Sequence, residues 1–119
     1  MKKTLSVLLA MVFLVAACGP KVAPPEIGKV WHEKEGPWEA TWTRRGDTNV
    51  FDAVWKNPEG TEIRDEVTFE SVTDHQVVLF RKGTQGRYRG RLSDDGLKVD
   101  MGSADWFTPG DSWSATIEK

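Results

Sequence analysis

The sequence carries one cysteine and two histidines in 119 residues. A lone cysteine forms no internal disulfide, and His32 and His75 have no cysteines or carboxylates spaced around them as a metal-ligand set. No metal or other cofactor is therefore expected. No serine stands in a Gly-x-Ser-x-Gly elbow, and no other activated nucleophile is apparent, so the chain does not read as an enzyme. Positive charge is also scarce: 16 Lys and Arg face 18 Asp and Glu, a formal net charge of −2. Phosphate backbones need a basic field, which argues against nucleic acid as a partner. No apolar run reaches the roughly 20 residues a membrane-spanning helix requires. Past residue 18, no stretch sustains a helical period with capping signals.

What is present begins at the N-terminus. Lys2 and Lys3 precede an uncharged, largely apolar run from Leu5 to Ala16, the form of a secretory signal. The run is too short to span a bilayer and ends in Val15-Ala16-Ala17-Cys18 instead of a charged flank. This ending resembles a bacterial lipobox, in which an aliphatic residue and two small ones precede an obligatory cysteine; the alternative is an ordinary signal peptide with an incidental cysteine. The resemblance implies that residues 1 to 17 are removed and that the Cys18 thiol receives a diacylglycerol, usually joined by a third, amide-linked chain. Two chains already anchor a protein stably, so the implied partner is a lipid bilayer. Loss of Lys2 and Lys3 with the signal would move the formal net charge from −2 to −4. The resembled class uses Asp after the cysteine to hold proteins at the inner membrane. Gly19 in that place implies the periplasmic face of an outer membrane, or the outer face of a single membrane where the cell has only one.

Residues 18 to 35 combine Pro20, Pro24 and Pro25 with mixed charge and no sustained apolar period, which reads as a tether. About 15 residues at ~3.1 Å each would hold a domain up to about 45 Å from the bilayer. Trp31 is the one residue in this segment suited to dock back onto the domain.

From Gly36 to Lys119 the apolar pattern alternates with the period of half-buried strands. Seven strands are expected: Trp38 to Arg44, Asn49 to Lys56, Glu62 to Glu70, Gln76 to Lys82, a fifth around Tyr88 to Leu92, a sixth around Leu97 to Met101, and a seventh around Trp113 to Ile117. Arg45-Gly46-Asp47, a cell-adhesion tripeptide in other settings, reads here as hairpin chemistry, as do Asn57-Pro58-Glu59-Gly60 and Ser93-Asp94-Asp95-Gly96. Four inward sets read large-small-large: Trp38-Ala40-Trp42, Phe51-Ala53-Trp55, Tyr88-Gly90-Leu92 and Trp113-Ala115-Ile117. Small residues in a middle layer let large rings meet inside a narrow barrel. The predicted fold is an all-β antiparallel meander barrel of about seven strands, the last closing onto the first, with a two-sheet sandwich as the alternative.

Gly36-Pro37-Trp38 resembles the Gly-x-Trp that opens the first strand of calycin barrels, the lipocalin and avidin type, and that resemblance implies a pocket for a small apolar ligand. More of the chain is similar to the broad class of small envelope lipoproteins, which implies location only. Three features are candidates for binding. Asp65 shares a face with Ile63, Val67 and Phe69, where it orients a ligand, sits at the barrel mouth, is turned outward by a bulge, or pairs with a residue such as Arg81. Trp106 and Phe107, in a Pro- and Gly-bearing loop, either contact a partner such as a cell-wall glycan or envelope protein or fold over a barrel end. Arg87, Arg89 and Arg91 line one outward face, where they meet an acidic partner or lipid phosphates, or pair with acids such as Glu70 and Asp100. The expected function is a membrane-anchored, non-enzymatic interaction module of the cell envelope; the alternative is a calycin-like carrier.

Overall fold

The structure is a computed structural model that describes residues 27–119. Residues 1 to 17, Cys18, Gly19 and the tether as far as residue 26 lie outside the described residues.

Eight strands follow in chain order: β1 (Val30–Glu35), β2 (Trp38–Arg44), β3 (Val50–Lys56), β4 (Glu62–Thr73), β5 (Gln76–Arg81), β6 (Gly86–Leu92), β7 (Lys98–Ala104) and β8 (Trp113–Glu118). Each pairs antiparallel with the next, and β8 pairs with β1, closing the barrel. The all-β meander barrel is as expected from the sequence, with one correction. Val30–Glu35, read above as the end of the tether, is a barrel strand held between β2 and β8 with six registered residue pairs on each side. The strand count is eight, and His32 lies on an outer sheet face.

β1 is held in place by Trp31, which is 1% exposed, stacks on Trp42 with ring centroids 5.6 Å apart, and donates its Nε1 hydrogen to the Ile27 carbonyl at 2.8 Å. Residues 27–29 then close one end of the barrel, here called the foot. The Lys29 amide donates to the Glu118 carbonyl and the Arg44 amide to the Lys29 carbonyl, both at 2.8 Å. Gly28 has φ +80° and leaves no room for a side chain, since a Cβ there would lie 2.5 Å from Ile117 Cγ2 and 2.7 Å from the Glu118 carbonyl.

An eight-stranded barrel has an interior just wide enough for its own side chains to fill, and aromatic rings fill this one. Trp42 is fully buried and touches Trp31, Trp55, Tyr88 and Trp113 at centroid separations of 5.2 to 6.2 Å. Ala40, Ala53, Gly90 and Ala115 are the small residues beside these rings, as the large-small-large pattern predicts. Gly90 and Gly102 are needed for the same reason: an added Cβ would meet Val99 at 2.6 Å in the first case, and the Trp113 carbonyl at 2.3 Å in the second. The Trp113 indole in turn donates to the Ser103 and Arg89 carbonyls at 2.8 and 3.1 Å, binding β8 across the irregular stretch of β6 and β7.

Candidate functional site

The end opposite the foot, the mouth, is built by the turns β1–β2, β3–β4 and β5–β6 and by the long loop 105–112 between β7 and β8. It holds a cleft of about 540 Å³ walled by Trp38, Trp55, Trp106 and Phe107, with Glu35 and Arg81 among its polar groups. The strands set these side chains by register. Glu35 faces Trp38 on β2 and Trp113 on β8, and Trp55 faces Ile63 across β3 and β4. Gly36, at φ +58°, makes the tight β1–β2 turn beneath the cleft. The Gly-x-Trp triplet therefore opens the second strand of this barrel.

Arg81 is the centre of the site. Its guanidinium lies 3.9 Å above the Trp55 ring and 5.7 Å from the Trp106 ring. Its Nε donates to Asp65 Oδ2 at 2.9 Å and its Nη1 to the Tyr88 hydroxyl at 3.3 Å. Asp65 also accepts the Gly83 amide at 3.0 Å. The side chains of Arg81 and Asp65 are 12% and 11% exposed, so this pair is largely withdrawn from water. Of the readings open for Asp65, the structure has it at the mouth and paired with Arg81. Ile63, placed inward by alternation, is instead 39% exposed at the rim.

Glu35 Oε1 accepts from the Tyr88 hydroxyl at 2.9 Å and from Trp55 Nε1 at 3.3 Å. Two residues deeper, Glu33 is 1% exposed, flanked by Ala40 and Ala115; it accepts from Trp55 Nε1 at 3.0 Å and shares a hydrogen bond with the Glu35 carboxyl. Its Oε2 has no hydrogen-bond partner. Burial, assisted by the neighbouring Glu35 carboxyl, pushes the Glu33 pKa up to about 10, so Glu33 is protonated at neutral pH. Burial likewise raises the Tyr88 phenol well above its ordinary value.

Trp106 and Phe107 both fold over the barrel end and line the cleft. Trp106 meets Tyr88 edge-on at 4.8 Å and Phe107 edge-on at 5.8 Å, and both residues are partly buried against the core. Two of the three arginines in the outward row are paired. Arg87 grips Glu70 with two bonds, at 2.6 and 3.0 Å, and Arg89 reaches Asp105 at 2.6 Å. Arg91 sits opposite Asp100 in register. Arg45 of the Arg-Gly-Asp turn is bound to Asp52 and Glu66, which ties it to its own sheet.

A larger hollow of about 820 Å³ is lined by largely outward-facing residues of β1 to β4, β7 and β8. Its walls are exposed ion pairs, Lys34 with Glu39 at 3.7 Å, Glu62 with Arg64 at 2.7 Å, and His32 with Glu118. Such flexible, solvated walls offer less than the ordered mouth. His75 is at the foot, paired with Asp94 at 3.2 Å. Among the described residues, no group of three His, Cys, Asp or Glu could hold a metal ion.

Sequence reasoning missed Glu33, Glu35, Trp55 and Tyr88 as site residues. The available signal was the alternation Trp31, Glu33, Glu35 running into Gly36-Pro37, a strand followed by a hairpin turn whose inward positions include two acids. No protein-family model, curated protein or solved structure matches this chain, so the cleft stands on its own chemistry.

Proposed function

We propose that the chain is a lipid-anchored binding domain of the bacterial cell envelope, non-catalytic, with the mouth as its recognition site. The observation that carries the reading is polarity along the barrel: the chain enters at the foot through Ile27, while the aromatic-walled cleft opens at the other end. Nine residue steps separate Cys18 from Ile27, a reach of at most about 30 Å. An anchor at Cys18 would thus hold the foot near the bilayer and turn the mouth toward the periplasm or the exterior. A binding role, not a catalytic one, is favoured because both histidines lie away from the mouth, and Arg81 is held by Asp65, Tyr88 and the Trp55 ring. A carrier with its ligand deep among the inward aromatics is disfavoured by Trp42 and its ring contacts, which occupy that space.

Fractionation of cells making the full chain and its Cys18→Ser variant tests the anchor. The unaltered chain is expected in the membrane fraction through a high-salt wash and in solution after detergent. The variant should fail to incorporate labelled palmitate. Equal labelling of both would overturn the assignment of Cys18.

A further inference from the structure

Resting on the mouth as the binding site, we infer that its ligand is a neutral, hydroxyl-rich carbohydrate, one or two sugar rings of a longer glycan. Three properties of the cleft lead there. The first is charge. Arg81 is already matched by Asp65, so it offers no unbalanced cation to a phosphate or carboxylate. The same guanidinium covers the Trp55 ring at 3.9 Å and approaches the Trp106 ring at 5.7 Å. It occupies the place where an ammonium ligand would sit on the Trp55 ring and repels one from Trp106.

The second property is the pattern of donors and acceptors. Hydrogen bonds engage Oε1 of Glu35 and the Nε and Nη1 of Arg81. Oε2 of Glu35 and Nη2 of Arg81 are the atoms left to a ligand, an acceptor and a donor in one aromatic frame, with Asp111 and Ser112 on the loop beside them. A hydroxyl both donates and accepts, so a row of hydroxyls on one ring satisfies both atoms at once. A purely apolar ligand would leave a carboxylate oxygen and a guanidinium nitrogen unpaired on burial.

The third is shape. The Trp106 ring stands nearly perpendicular to Tyr88 and to Phe107, at 78° and 84°, which fixes it as a wall of the cleft. The apolar C–H face of a pyranose packs flat on such a ring while its equatorial hydroxyls point to the sides, toward polar groups like those here. A volume of about 540 Å³ falls within the range of small-ligand sites, roughly 300 to 1,000 Å³, and far below that of a whole polysaccharide, which would continue past the rim.

The test uses the chain purified from its own membranes in a non-glycosidic detergent, titrated by calorimetry. The probes are neutral β-linked glucose and N-acetylglucosamine oligosaccharides, with trilysine and inorganic phosphate as competing chemistries. The expected result is binding of at least one oligosaccharide and of neither charged probe. Trp106→Ala and Glu35→Gln should each weaken it by roughly tenfold, the loss of one ring contact or one strong hydrogen bond. Thr84→Trp, at an exposed rim position, fills the cleft without touching the core and should abolish binding even if Trp106→Ala is poorly folded. Lys56→Ala in the outer hollow should leave it unchanged. Trilysine or phosphate binding that Thr84→Trp blocks would keep the mouth as the site and overturn the carbohydrate. Oligosaccharide binding that survives Thr84→Trp would overturn the cleft itself, and silence from every oligosaccharide would overturn the ligand class.

Discussion

Replacing Glu33 by Gln should stabilise the protein, and by an amount that grows with pH. Glu33 lies in the barrel wall with 1% of its surface exposed, and burial, assisted by the neighbouring Glu35 carboxyl, lifts its pKa from 4.5 to about 10. The folded state therefore keeps a proton that the unfolded chain releases above about pH 4.5. Stability from this group is complete below pH 4.5 and is lost steadily as pH rises toward 10. The slope is about 1.4 kcal/mol per pH unit, which amounts to about 3 kcal/mol between pH 5 and pH 7. That is a large share of the roughly 5 to 15 kcal/mol that holds a typical domain together. Gln has the same shape and no proton to lose. Asp52, Asp95 and Asp105, whose pKa values are lowered by Arg45, by Ser93 and Leu97, and by Arg87 and Arg89, impose the opposite slope, and they do so equally in both proteins. The difference between the two therefore isolates Glu33 together with the Glu35 carboxyl coupled to it. Urea unfolding followed by tryptophan fluorescence at pH 5, 6 and 7 measures it. Near-equal stabilities at pH 5 with Gln ahead by about 3 kcal/mol at pH 7 are expected. A difference that does not change with pH would refute a neutral, buried Glu33.

Other substitutions probe the frame around the site. Trp31→Ala should cost about 3 to 5 kcal/mol in urea unfolding, because Trp31 is core and pins β1 to Trp42; a loss under 1 kcal/mol would mean β1 is dispensable. Gly102→Ala should lower the thermal midpoint sharply, since the new methyl meets the Trp113 carbonyl and indole, whereas Gly60→Ala, with open space around it, should cost only the strain of φ +86°. Asp65→Ala should cost about 3 kcal/mol by stranding the Arg81 guanidinium, and Asp65→Ala with Arg81→Met should recover part of that loss; an additive double mutant would show that the pair does not act together.

Seven of the eight strands were legible because their inward positions are apolar and their turns carry Gly, Asp or Asn. The eighth was hidden by its own chemistry. In Val30–Glu35 only Trp31 among the inward residues is apolar, because Glu33 and Glu35 hold the other two places. Parity would have exposed it: in a meander of seven strands the first and last run parallel, so antiparallel closure requires an even number. The pairing of Asp65 with Arg81 was legible as one of several alternatives, since a carboxylate on an apolar face demands a partner. The cleft was not, because Glu35, Arg81 and Trp106 come from three separated segments, and their convergence depends on the register of all eight strands. The dual role of Trp106 follows from the same cause: its loop is long enough to fold inward, and only the closed barrel gives it Tyr88 to rest on.

The central claim is that recognition happens at the mouth and not on the outer sheet, and photo-crosslinking in living cells tests it most directly. A photoreactive amino acid at Phe107, in the cleft, or at Thr41, in the outer hollow, would be activated in cells of the source organism. A discrete adduct is expected from position 107, removed by Thr84→Trp, and none from position 41. An adduct from position 41 with position 107 silent would contradict the claim.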